Sequence, residues 1–157
     1  MRKNKVYLIE ETLLKNYNKY YKLAFSYVHN DSDAMDIVQD SAYKAIKNAE
    51  LLKNQKYVDT WIYRIVINQC KTFLSKNKQI TDDISDVNIS FNDKYENIDL
   101  KNALNALDND EKAIIILRFF EDLKIEDIAS VLDIKVNTVK SRLYRCLRKL
   151  ESIMEEV

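Results

Sequence analysis

The sequence predicts an all-α chain with two small helical domains, an N-terminal helical bundle and a C-terminal helix-turn-helix, joined by a flexible acidic linker. Three observations predict it. Apolar residues recur at three- and four-residue spacing through most of the 157 residues, and no run of strand length alternates apolar with polar. The chain has no Gly and no Pro, so Asn, Asp, Ser and Lys mark its turns. One stretch, QITDDISDVNISFNDK from Gln79 to Lys94, is polar, acidic and without helical period, and it parts two periodic halves.

The elements follow in order. A first helix is expected from about Ile9 to Val28. NDSD at Asn30 to Asp33 supplies a turn and an N-cap for a second helix ending near Leu52. Lys53 to Lys56 breaks the pattern before a third helix from about Tyr57 to Asn77. Helices resume from Tyr95 to Leu107 and, after an LDNDEKA turn and cap, from Glu111 to Phe120. Ile125 to Leu132 and Asn137 to Met154 complete the chain. The implied domains are 1–78 and 95–157, with 79–94 between them.

Composition removes several function classes. Without glycine no Gly-rich phosphate loop can be built. No stretch approaches the roughly 20 apolar residues of a membrane span, and the basic start MRKNK leads into charged residues rather than a signal-peptide core. The expectation is a cytoplasmic protein. Cys70 and Cys146 stand far apart, outside any metal-ligand spacing, and read as buried free thiols. His29, the one histidine, reads as a helix-end residue. No catalytic constellation stands out, so no enzyme, cofactor or small-molecule substrate is expected.

Net charge is zero, but it is segregated. Residues 1–80 carry 14 Lys/Arg against 8 Asp/Glu, whereas residues 81–99 carry Lys94 against six acids. Between Lys135 and Lys149 stand six basic residues and no acid.

That basic run lies in LKIEDIASVLDIKVNTVKSRLYRCLRKL, which has the pattern of a helix-turn-helix. Ile125, Ile128, Ala129 and Leu132 form one apolar face, and Ala129 is small where two helices must approach. Ile134 in the turn can plug the space between them. Asn137 or Thr138 can cap the second helix. At 100° per residue Val139, Leu143, Cys146, Leu147 and Leu150 share the inward arc. Ser141, Tyr144, Arg145 and Arg148 lie opposite, with Lys140 and Arg142 at the edges. Polar and aromatic groups near the start of such a helix suit base edges in a major groove, and arginines suit phosphate or guanine. A solvated basic face is the competing reading, but cap, plug and small residue in register favour DNA.

In the third helix Val58, Trp61, Ile62, Ile65, Val66 and Phe73 gather on one side. Tyr57, Thr60, Arg64, Asn68, Lys71 and Ser75 gather on the other. Cations, an amide and a ring on one face suit single-stranded nucleic acid, and equally an ordinary solvated back. In the second helix Ile37, Val38, Ala42, Ala45 and Ala49 face inward. Asp36, Gln39, Asp40, Tyr43 and Lys47 face out, a polar face with no specific implication alone.

Together these motifs resemble the extracytoplasmic-function group of bacterial sigma factors. DAMDIVQDSAYKAI resembles that group's polymerase-clamp helix, TWIYRIVIN its W-[LI]-Y-R-I-x-x-N signature, and LDNDEKAIIILRFFEDLKIEDIASVLDIKVNTVKSRLYRCLRKL its C-terminal elements, in the right order along nearly the whole chain. The resemblance implies an alternative sigma factor that directs core RNA polymerase to promoters of a stress or envelope-signal regulon. Asp36, Gln39, Asp40 and Tyr43 would bind the core enzyme, whose beta-prime and beta subunits are the expected partners. Tyr57, Thr60, Arg64, Asn68 and Lys71 would hold the melted minus-ten strand. Thr138, Lys140, Ser141, Arg142, Tyr144, Arg145 and Arg148 would hold the minus-thirty-five duplex. An anti-sigma factor, often membrane-anchored in such systems, would be a further partner.

Two departures stand out. The family often has Gly where Asp133 and Asn137 stand; Asp and Asn are the residues that best tolerate positive φ in its place. Met35 stands where the clamp motif commonly has an acid. The main rival is a free-standing regulator using only the C-terminal helix-turn-helix, and a second is an adaptor that binds proteins alone.

Overall fold

A computed structural model describes residues 2–77, 104 and 106–155. Helices account for the elements of both halves, and no strand occurs among the described residues. The backbone divides into two compact units, Met1–Asn88 and Ile89–Val157. The expected linker, 79–94, and most of the helix expected from Tyr95 to Leu107 lie outside the described residues.

The N-terminal unit holds α1 (Arg2–Lys15), α2 (Tyr17–Val28), α3 (Asp31–Lys47) and α4 (Val58–Asn77). α2, α3 and α4 pack pairwise into a bundle, and α1 lies against α3 and a 3-10 turn at Ala49–Leu51. Burial follows the expected faces: Ile37, Val38, Ala45 and Ala49 from the second segment, and Val58, Ile62 and Val66 from the third. Trp61 is half-buried at the rim of the core. Tyr20 and Tyr63 meet edge to face at 4.9 Å between centroids, both fully buried. Buried Ser41 and Ser26 return their hydroxyl protons to the carbonyls of Ile37 and Leu23, so neither is left unpaired.

The single first helix expected from Ile9 to Val28 is in fact two. The chain breaks at Asn16, whose φ and ψ of −110° and 19° leave the helical region. The break is anchored on α4. The Asp59 carboxylate accepts a hydrogen bond from the Tyr20 hydroxyl and one from the Asn16 amide at 3.4 Å. Periodicity alone cannot see a break fixed by a partner 43 residues away. α1 also begins earlier than expected, because only Ile9 on it is buried and its apolar signal is weak. The second helix ends at Lys47 rather than near Leu52, and the 3-10 turn carries the chain on.

α3 starts as its sequence requires: Asn30 Oδ1 accepts the Asp33 amide at 2.9 Å, Asp31 and Asp33 sit in the first turn, and Lys44 and Lys47 in the last. The Tyr21 hydroxyl donates to Asp31, and that bond, with burial, pushes the phenol up to about 12.

The C-terminal unit holds α5 (Asn109–Ile115), a π turn (Ile116–Phe120), α6 (Ile125–Leu132) and α7 (Val136–Glu155). Asp108 caps α5 through a reciprocal box: it accepts the Glu111 amide at 2.8 Å, and Glu111 accepts the Asp108 amide at 3.2 Å. The π turn was not legible in the sequence and leaves Phe119 and Phe120 exposed. Arg118 Nη1 then donates to the Leu123 carbonyl at 3.0 Å and steadies the loop into α6.

With no glycine in the chain, three left-handed positions among the described residues are filled by His29, Asp122 and Asp133. His29 ends α2, its amide on the Phe25 carbonyl at 2.8 Å, the helix-end role expected of it. Asp133, at φ 57° and ψ 48°, closes α6 in a Schellman motif. The Ile134 amide reaches the Ala129 carbonyl at 3.0 Å and the Asp133 amide reaches Ser130 at 3.3 Å. Ile134 is half-buried, as a plug residue should be.

α7 begins at Val136, so Asn137 and Thr138 lie within its first turn and are not its N-cap; the Val139 amide bonds back to the Lys135 carbonyl. Val139 and Cys146 are fully buried, and Leu143 and Leu150 pack with Leu107 and Ile115. Leu147 is 40% exposed, contrary to its expected inward place. It sits roughly 60° off the centre of the buried arc, at the flank.

Both thiols are buried and free. Burial raises each from 9.0 to about 12, with Glu111 adding to the effect at Cys146. Between those pH values the unfolded chain sheds a thiol proton that the folded chain keeps, so stability falls as pH rises. Cys70→Ala is expected to flatten this alkaline loss, measured as unfolding free energy against pH from about 8 to 11. Asp133→Gly should leave the chain at least as stable as the parent, whereas Asp133→Val should cost about 1–2 kcal/mol, read from chemical denaturation.

Candidate nucleic-acid and polymerase interfaces

Three exposed faces emerge from these helices. On α3, burial of Ile37, Val38, Ser41 and Ala45 turns Asp36, Gln39, Asp40 and Tyr43 to solvent. Tyr43 is 66% exposed, and the Lys47 ammonium lies over its ring at 5.8 Å. Met35, also partly exposed, adds an apolar spot beside these acids. The face is anionic with an aromatic edge, suited to a basic protein surface.

On α4, burial of Ile62, Tyr63, Val66, Ile67 and Cys70 fixes the opposite side. Arg64, Asn68 and Lys71 are exposed there, at successive helical turns. Thr60 is half-buried at the near end. Tyr57 closes a 3-10 turn just before the helix, exposed, with the Lys56 ammonium 5.9 Å from its ring. The Asn54 side chain accepts the Lys56 amide at 3.0 Å and shapes that turn. The result is a strip of ring, cations and amide about four helical turns long. Lys44 on α3 donates to Gln69 at 2.5 Å and ties the back of α4 to the bundle.

On α7, Lys140, Ser141, Tyr144, Arg145 and Arg148 line one shallow depression. All five are exposed. Thr138 is half-buried in the first turn. Arg142 departs from the other basic residues: it is half-buried and lines a separate notch with Asp108, Asp110, Glu111, Arg145 and Lys149. Arg145 borders both.

Sequence reasoning missed the residues that aim these faces. Asp59 fixes the start of α4 by holding α2 across it. Glu111 does the same for α7: it caps α5 and also accepts Lys149 Nζ at 3.2 Å and the Cys146 thiol at 3.5 Å. Burial alone would raise the Glu111 pKa; the Asp108 amide, Lys149 and Cys146 outweigh it and hold the carboxyl below its usual range. The LDNDEKA pattern signals a turn and a cap before Glu111 but gives no hint that Glu111 itself completes the cap and holds α7.

Both halves of the chain match known protein regions. Residues 13–80 match the family model for sigma-70 region 2, and residues 98–150 match that for sigma-70 region 4. The RNA polymerase sigma factor SigV of Bacillus subtilis (strain 168) is 46% identical over 134 residues, covering 82% of this chain and 80% of its own. The ECF RNA polymerase sigma-E factor of Haemophilus influenzae is 30% identical over 155 residues, covering 86% and 81%. This chain belongs to the extracytoplasmic-function sigma factors.

A solved relative agrees in fold. The sigma factor RpoE of Bartonella quintana, crystallised with the anti-sigma factor NepR, superposes with a TM-score of 0.76 at 24% identity, over 93% of this chain and 96% of that one. As an alternative sigma factor, the protein engages core RNA polymerase and promoter DNA. The free-standing regulator and the protein-only adaptor are set aside, because both sigma regions match in order. No helix among the described residues is long and apolar enough to cross a membrane.

Proposed function

We propose that the sigma factor divides its work among the three faces without making or breaking bonds. Asp36, Gln39, Asp40 and Tyr43 on α3 dock on the clamp of the polymerase beta-prime subunit. Tyr57, Thr60, Arg64, Asn68 and Lys71 hold the melted minus-ten strand, with Asn68 reading a base and Arg64 and Lys71 on the backbone. Lys140, Ser141, Tyr144 and Arg145 read the minus-thirty-five duplex, and Thr138, Arg142 and Arg148 supply backbone contacts or support. Residues 1–78 and 95–157 form the two working domains, with 79–94 between them.

One observation carries the reading: α4 and α7, in separate units, each expose a cationic-polar face opposite a fully apolar one. Trapping bases on the first face stabilises an opened strand at a cost of a few kcal/mol of unstacking. The second face needs duplex, because its helix is shaped for a major groove. The protein works in the cytoplasm, where the polymerase is. An anti-sigma factor holds it inactive until a stress or envelope signal arrives; the complexes of RpoE with NepR and of CnrH with the cytosolic domain of CnrY support this.

The test is promoter-specific transcription by the full chain with core polymerase. Asn68→Ala is expected to lower initiation at the cognate promoter about tenfold while thermal stability stays within about 0.5 kcal/mol, as for an exposed side chain; normal initiation by this variant excludes Asn68 as base reader. Asp40→Arg should weaken capture of core polymerase in a pull-down, since a reversed charge meets a basic partner surface. Unchanged capture would sink the clamp assignment.

A further inference from the structure

We propose that Arg148 is a positioning residue for duplex recognition: its guanidinium, laid over the Tyr144 ring, fixes that ring in the orientation in which it meets a base pair. This deepens the reading of α7 as the duplex-reading helix and rests on it.

The two residues are one helical turn apart on the same face of α7. The Arg148 guanidinium carbon lies 4.6 Å from the Tyr144 ring centroid. Its Nη2 points to the Tyr144 hydroxyl oxygen at 3.5 Å, the outer limit of a hydrogen bond. The arginine therefore spans the ring from face to hydroxyl. Tyr144 is 61% exposed, so no apolar packing holds the ring from the outside. An exposed tyrosine on a helix has two common χ1 settings and loses that freedom on binding. A planar cation across one face selects one setting before DNA arrives.

Place along the helix separates the two roles. α7 begins at Val136, so Tyr144 lies roughly 12 Å along its axis and Arg148 roughly 18 Å. Residues near the start of a recognition helix meet base edges, and later ones leave the groove. Tyr144 is within reach of a base, and Arg148 is placed to brace it. Lys140 and Arg145 beside them supply positive charge to phosphates without Arg148. Lysine is a weaker brace: an ammonium can sit over a ring, as Lys47 does over Tyr43 at 5.8 Å, but it is a point charge with no plane to stack and no second nitrogen to span to the hydroxyl.

The probe is a promoter template library randomised across the upstream duplex element, transcribed by the full chain with core polymerase and read by sequencing transcripts. Arg148→Lys is expected to flatten base preference about two- to five-fold at one or two adjacent positions. The salt dependence of template binding should stay unchanged, because the charge is retained. In a Tyr144→Ala background, Arg148→Lys should have no further effect. The proposal is overturned if Arg148→Lys keeps the parent preference, if it weakens all templates alike as a lost phosphate contact would, or if its effect persists without Tyr144. If Tyr144→Ala alone leaves the preference intact, Tyr144 reads no base and the brace fails; if Lys140→Ala and Arg145→Ala leave it intact as well, the duplex-reading assignment of the face fails too.

Discussion

The direction in which α4 and α7 present their polar faces depends on burial of the faces behind them. Ile62, Val66, Ile67 and Cys70 are fully enclosed on α4, as are Val139 and Cys146 on α7. Rotating either helix by one residue position, about 100°, would expose part of that arc and bury a cation in exchange. Apolar burial is worth about 1.5–3 kcal/mol for each large side chain, and an unpaired buried charge costs more. The aim of each interface is thus set by the core, and the polar residues need only be the right ones. Two carboxylates refine that aim: Asp59 ties α2 to the first turn of α4, and Glu111 ties the start of α5 to α7.

Much of this was legible in the sequence because both α4 and α7 are amphipathic with period 3.6. The limits of α6 agree residue for residue, and those of α4 and α7 agree to about one residue. The faces of α3 were also legible: Asp36, Gln39, Asp40 and Tyr43 are exposed, while Ile37, Val38 and Ala45 are buried. What was hidden has a common cause. The break at Asn16, the inward turn of Tyr63 and the double use of Glu111 depend on partners distant in sequence. The π turn at Ile116–Phe120 is hidden for a different reason, since one inserted backbone step leaves the apolar pattern ILRFF unchanged. Leu147 was misplaced because a residue at the flank of an arc is decided by the neighbour's shape, not by its own angle.

The absence of glycine has a structural cost and a remedy. Among the described residues three tight reversals need a left-handed residue, and the chain supplies one histidine and two aspartates. Such residues bear a steric penalty of about 1–2 kcal/mol that glycine avoids. The hydrogen bonds of the Schellman turn at Asp133 offset it by satisfying carbonyls at the end of α6. The same turn sets how α6 meets α7, so backbone geometry at one exposed aspartate bears on how α7 is mounted.

The withdrawal of both sulfurs from solvent reaches beyond folding. A thiol held in its protonated form is a poor nucleophile toward peroxides and disulfides, and Cys70 and Cys146 are both so held. Neither cysteine is therefore placed to serve as a redox switch at neutral pH, and among the described residues the sulfur open to oxidants is the partly exposed thioether of Met35.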